Sequence, residues 1–216
     1  FTGIGCNICP SGHQIAQQLH NTNPNDVFLI NIHTGQFANP LGPGTDFNTA
    51  FGPFLAGQAG IVGVPAGTVN RHQFSMSQGG GFAMGKSDWS SASNQILAEL
   101  SPVNVGIQST IDMAANSLIV DVEVYYTGTQ NITSNMLNIV VVQNNVEGPQ
   151  YGTAQLNGIY SHNNMLRHML TGNWGEQILN ITQNSLYSNQ YSWIMPHYIQ
   201  DVIFDPANIS VLAFVS

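Results

Sequence analysis

Two cysteines stand three residues apart near the start of the chain, in Cys6-Asn7-Ile8-Cys9-Pro10. That spacing has four readings: a redox pair, half of a zinc site, a structural disulfide, or coincidence. Zinc takes four ligands, usually from two such pairs, and this chain has no second CxxC, its seven histidines being scattered. As a staple the pair is weak, because a four-residue ring contributes roughly 2 kcal/mol by loop entropy. A CxxC placed where a strand runs into a helix fits thiol–disulfide geometry better. Cys6 would then be the outer, attacking thiol and Cys9 the resolving one. The helix N-terminus would favour the Cys6 thiolate by about 0.3–1 kcal/mol.

Redox geometry of this kind also needs a proline facing the pair. Pro65, in Gly63-Val64-Pro65, is the candidate, with a cis Val64–Pro65 bond expected. Two features count against strong catalysis. Pro10 disfavours helical geometry at Cys9, and no Lys or Arg lies within thirty residues of the pair in sequence. His13, one turn beyond Cys9, is a surface histidine or a tuner of the thiol. The residues alone do not decide whether the chain is an enzyme.

The elements that must position these groups read as follows. Phe1 to Ile4 ends a strand, Ser11 to His20 is a short helix with Ile15, Ala16 and Leu19 on one face, and Val27 to His33 is a strand buried on both faces. Asp46 caps a helix running to Ala59, kinked or split at Gly52-Pro53. Thr68 to Arg71 is a strand, and Asp88 caps a helix from Trp89 to Leu100. This order is that of a thioredoxin-like α/β domain over residues 1–100, lacking its first strand. From Ser101 the pattern changes to period two: Val103 to Met113, Leu118 to Tyr126 and Asn138 to Gln143, then short strands at 178–181, 192–195, 202–204 and 210–215. One helix is expected near 163–170. Residues 101–216 thus read as an antiparallel, sandwich-like domain, and the whole as α+β.

Composition bounds the partners. Only 6% of residues are charged, against roughly a quarter in an ordinary domain. The 24 Asn and 17 Gln outnumber the 14 formal charges, so amides and hydroxyls must wet the surface. Three cations, Arg71, Lys86 and Arg167, are too few to neutralise a run of phosphates, which excludes nucleic acid and an anionic membrane surface as partners. No stretch has the ~18 apolar residues of a spanning helix. No cofactor motif is present. The chain opens at Phe1, inside what reads as a strand, as expected of an exported chain whose signal peptide has been removed. Export compartments are oxidising, so Cys6 and Cys9 are expected to be bonded to each other.

Several segments together resemble the 28-kilodalton outer-membrane protein family of Gram-negative bacteria. They are Phe1-Thr2-Gly3 running into Cys6 to His13, Gly63-Val64-Pro65 with Asn70-Arg71, Tyr160 to Arg167, Gly172 to Glu176, and Val211 to Val215. The resemblance implies a thioredoxin-like module followed by a β-rich domain, a lipoprotein-type export signal with a lipid anchor on a missing N-terminus, and an outer-membrane or surface location. Asn164 stands where the family often has a second histidine, so no metal or catalytic role carries over to that segment. His162 and Arg167 read instead as a structural tie, with Arg167 holding carbonyls between the domains. The acceptor-like triplets at Asn131, Asn180 and Asn208 are expected by chance in a chain this rich in Asn.

Two functions follow. The first is a surface-exposed or outer-membrane-associated protein that uses a thioredoxin-like fold as a scaffold for protein partners or self-assembly. Low charge favours it, because low charge density promotes association. The alternative is a periplasmic thiol–disulfide oxidoreductase working through Cys6, Cys9 and Pro65.

Overall fold

The computed structural model describes residues 1–152 and 159–216. Three helices lie in its first hundred residues: α1 (Cys9–Thr22), α2 (Gly52–Ala59) and α3 (Trp89–Leu97). Pro10 and Pro53 each sit in the first turn of a helix, where the missing N–H has no partner to lose. That is why α1 starts already at Cys9 and why α2 starts at Gly52 instead of running from Asp46. The Asp46 carboxylate accepts from the Asn48 backbone N–H and side-chain amide instead, holding a turn ahead of the helix.

The extended segments of this half meet only at isolated bridges: Thr2 with His33 and Asn31 with Met165, both parallel, and Gly67 with Met84, antiparallel. The strands expected at 27–33 and 68–71 therefore do not form as ladders. Segment 27–33 is not buried on both faces, for Phe28 is 61% exposed. Asn70 and Arg71 both take left-handed backbone angles that turn the chain out of line.

Among its described residues the second half carries eleven strands: β1 (Val103–Asp112), β2 (Ser117–Tyr126), β3 (Asn135–Gln143), β4 (Val146–Gly148), β5 (Tyr160–His162), β6 (Met165–Met169), β7 (Glu176–Ile178), β8 (Leu186–Ile194), β9 (Tyr198–Ile199), β10 (Val202–Ile203) and β11 (Ile209–Val215). All named pairings are antiparallel. One sheet runs β1-β2-β8, a second β11-β3-β6 with β7 also on β3, and β9-β10 and β4-β5 form two-stranded sheets of their own. Strand β2 alternates as the period-two pattern requires, with Leu118, Val120, Val122, Val124 and Tyr126 inside. These pack on Leu137, Ile139 and Val141 of β3 to form the main core.

The opposite face of β3 is buried as well. Val140 and Val142 join Leu166, Met169 and Leu55 of α2 in a second cluster. A third cluster draws Ile4 and Phe47 together with Val146, Met165 and Val202. Apolar contact thus runs across the point between Leu100 and Ser101. Burial on both faces also explains the segment 163–170, which is strand β6 and not a helix. Met165, Leu166, Arg167 and Met169 are all buried, so the run has no polar face to mark its period. Its register against β3 shifts between Val141 and Val142, where a bulge lets Leu166 and His168 follow the sheet.

Candidate functional site

Cys6 and Cys9 are joined by a disulfide, with their Cα atoms 5.4 Å apart. The Cys9 N–H points at Cys6 Sγ, 3.1 Å away. The Val64–Pro65 bond is cis, and the Val64 carbonyl oxygen lies 3.8 Å from Cys6 Sγ. Gly12, in the next turn of α1, faces the same proline. A Cβ on Gly12 would stand 3.1 Å from the Pro65 side chain and 3.1 Å from the Trp89 ring. The structure therefore brings Cys6, Cys9 and Pro65 to one place.

What covers them was not legible in the sequence. Cys6 is 3% exposed and Cys9 fully buried. The segment after β4 folds over the loop that carries them. Gln150 places its side-chain amide within hydrogen-bond distance of the Gly3, Ile4 and Cys6 carbonyls (3.2, 3.3 and 3.1 Å). The Tyr151 N–H donates to the Ile4 carbonyl at 2.8 Å. Gly152, at φ +79°, lies so close to the Asn7 backbone that any Cβ would collide with it. Asn7 and Ile8 remain exposed, but the sulfurs do not. A cation is also present: the Lys86 ammonium donates to Ser11 Oγ, and that hydroxyl to the Ile8 carbonyl. Lys86 is far from the pair in sequence, so spacing could not have found it.

Beside the disulfide lies a cluster of imidazoles. His13 bonds through both ring nitrogens, to Thr2 Oγ1 at 2.8 Å and to Tyr160 Oη at 2.9 Å. His33 and His162 are buried and meet edge to face, with Phe47 against both rings. His162 Nε2 is 3.2 Å from the Pro149 carbonyl. Burial pushes the pKa of His13 and of His162 down to about 4, and that of His33 well below the usual histidine range. His162 and His13 add repulsion at His33. These imidazoles are therefore neutral at pH 7. A cavity of about 210 Å³ opens between them, lined by His13, Asn31, His33, Tyr160, His162 and Asn164 among others. Among the described residues no group of three or more His, Cys, Asp or Glu converges as metal ligands.

Arg167 is 1% exposed and close enough to His33 for its charge to oppose protonation there. Its Nη2 donates to the Val202 carbonyl at 3.1 Å and to the Ile199 carbonyl at 3.4 Å. Burial without an anion lowers its pKa to about 10.

The family model for Outer membrane protein Omp28 matches residues 55–216. The chain belongs to the Omp28 family. That membership puts it among proteins of the outer membrane and cell surface. Among solved structures, HBP35 of Porphyromonas gingivalis is similar over the whole chain and 67% of its own, with 17% identity and a TM-score of 0.73. At that identity the likeness is one of fold. A domain of the outer membrane lipoprotein Omp28 from Porphyromonas gingivalis matches 54% of this chain and 77% of its own, with 15% identity and a TM-score of 0.35. No curated protein matches. No helix among the described residues is long and apolar enough to cross a membrane.

Proposed function

We propose that this Omp28-family protein is an interaction and assembly scaffold of the outer membrane or cell surface, held there through a lipid anchor. Its partners are other proteins or further copies of itself. Residues 1–100 form a thioredoxin-like module and residues 101–216 a β-sandwich that packs against it. Support for the module comes from the chain order across the bridges, which runs from 27–33 to Thr2, then through the Phe1 and Ala66 backbones to Gly67 and Met84. The helix that follows the CxxC and the proline facing it point the same way. The amide-rich surface suits close packing, because amides pair without burying unmatched charge.

One observation carries the scaffold reading over catalysis: Cys6 and Cys9 are buried, in a loop whose carbonyls Gln150 and Tyr151 hold. Thiol–disulfide exchange needs a thiolate that can reach its partner's sulfur. In this role Cys6, Cys9 and Pro65 shape the loop that Gln150 grips. The test is insulin reduction by the purified chain, with Cys6→Ser as control. The scaffold reading expects background turnover for both proteins. Turnover comparable to a thioredoxin, lost in Cys6→Ser, overturns it.

A further inference from the structure

A second cleft, of about 770 Å³, shares Leu29 and Asn31 with the imidazole-lined cavity and runs between the extended segment 27–32, the turn 66–71 and strand β11. Its walls include Phe1, Ile30, Ile32, Leu55, Leu212 and Phe214. All except Leu55 are only half-buried, although they pack against the cluster of Val140, Leu166 and Met169. Phe28 and Ile107, 61% and 41% exposed, stand on the rim and leave it open to solvent.

Two formal charges border this apolar space, Asp26 and Arg71. Asp26 is exposed and stays solvated. Arg71 is half-buried, and desolvation lowers its pKa. Its guanidinium lies 5.2 Å from the centre of the Phe214 ring, and Nη1 donates to Ser216 Oγ at 3.3 Å. Both contacts are neutral, and among the described residues no carboxylate pairs with it. The chain holds this residue at φ +51°, a left-handed conformation that an arginine seldom takes. Small-ligand sites have this make-up: a mostly apolar space of about 300–1,000 Å³ with a few placed polar groups. A partly desolvated cation attracts an anion more strongly than a solvated carboxylate repels it.

We infer that this cleft binds a single-chain carboxylate amphiphile of the fatty-acid type, its alkyl chain against Ile30, Ile32 and Leu212 and its carboxylate on Arg71. One guanidinium with no carboxylate partner among the described residues matches one carboxylate. The reading does not rest on the scaffold proposal, since neither the Cys6–Cys9 disulfide nor the Gln150 contacts enter it.

Isothermal titration of the chain with decanoate, dodecanoate and dodecanol tests it. Dodecanoate should bind one to one. Its two extra methylenes should tighten binding over decanoate by about tenfold. Dodecanol should bind at least about tenfold more weakly than dodecanoate, as expected when a charge-assisted hydrogen bond is lost. Arg71→Gln should erase that preference by weakening dodecanoate to about the affinity of dodecanol, and Arg71→Lys should restore part of it. Failure of dodecanoate to saturate a single site overturns the inference. So does equal affinity for acid and alcohol, or an Arg71→Gln variant that binds dodecanoate as well as the parent. A concentration-dependent dimer that takes up no dodecanoate would assign the cleft to a second copy and overturn it too.

Discussion

His33 and His162 face each other edge to face with ring centroids 5.2 Å apart, and each is less than 4% exposed. Neither can gain a proton without burying a charge beside the other. Burial holds His162 and His13 at about 4, against 6.5 in the unfolded chain. Between those values the unfolded chain binds more protons, so stability rises with pH across that window. It should be complete above about pH 6.5 and lost steadily down to about pH 4, His162 alone accounting for about 3 kcal/mol. Urea unfolding at pH 7, 6 and 5 measures this. His33→Phe keeps the edge-on packing, removes one titrating ring, and should flatten the acid limb.

Gly12 decides how closely α1 approaches Pro65. An added Cβ would touch Pro65 and Trp89 at 3.1 Å each, and neither is the free end of a flexible side chain. Helix propensity favours Gly12→Ala by up to about 1 kcal/mol, but overpacking costs about 1–3 kcal/mol. Overpacking should win, with a net loss of about 1 kcal/mol for Gly12→Ala and more for Gly12→Val. Thermal melts of the two variants give the order.

Strands β1 and β2 were legible because one face of β2 meets solvent, and alternation then shows in the sequence; of β8 only the end, at 192–195, was read. The short segments that bridge the first half were not. Val27 to His33 reads as a buried strand, yet the side chains of Val27 to Ile32 border an open cleft instead of a second layer. Strand β6 was hidden for the opposite reason, being buried on both sides. At the candidate site, Cys6, Cys9 and Pro65 could be named from spacing. The groups that cover and adjoin them, Gln150, Tyr160 and Lys86, come from distant parts of the chain with no motif of their own.

Strand β3 gives this double burial an energetic test. Val141 faces the sandwich core, and Val140 faces α2 and β6. Adjacent strand residues point to opposite faces, so in a strand with one wet face only one of the two would matter. Here Val140→Ala and Val141→Ala should each cost about 1–3 kcal/mol, by lost burial plus the cavity left behind. Urea unfolding of both variants checks it. A Val140→Ala variant as stable as the parent would mean that α2 does not pack where it is placed.

Arg167 is the largest of the fully buried side chains, and two effects of opposite sign meet there. Holding a charge with no anion beside it costs stability, as the lowered pKa of about 10 records. Against this, Nη2 holds the Val202 and Ile199 carbonyls, and the side chain fills the space between β6 and the β9–β10 turn. Arg167→Met keeps most of the volume and removes the charge, leaving two carbonyls without that donor. The hydrogen bonds to a charged group are worth about 1.5–3 kcal/mol each, and relief of the buried charge offsets part of the loss. Arg167→Ala forfeits the same bonds and adds a cavity, which for large-to-small changes costs about 2–5 kcal/mol. The expected order of stability is therefore parent, then Arg167→Met, then Arg167→Ala, with at least about 2 kcal/mol between the two variants. Urea unfolding monitored through Trp193, which stacks on the neighbouring His168 at 4.2 Å between ring centroids, reads the region directly. Equal stability of the two variants would show that the cavity closes by collapse, and that the carbonyl bonds alone account for what Arg167 contributes.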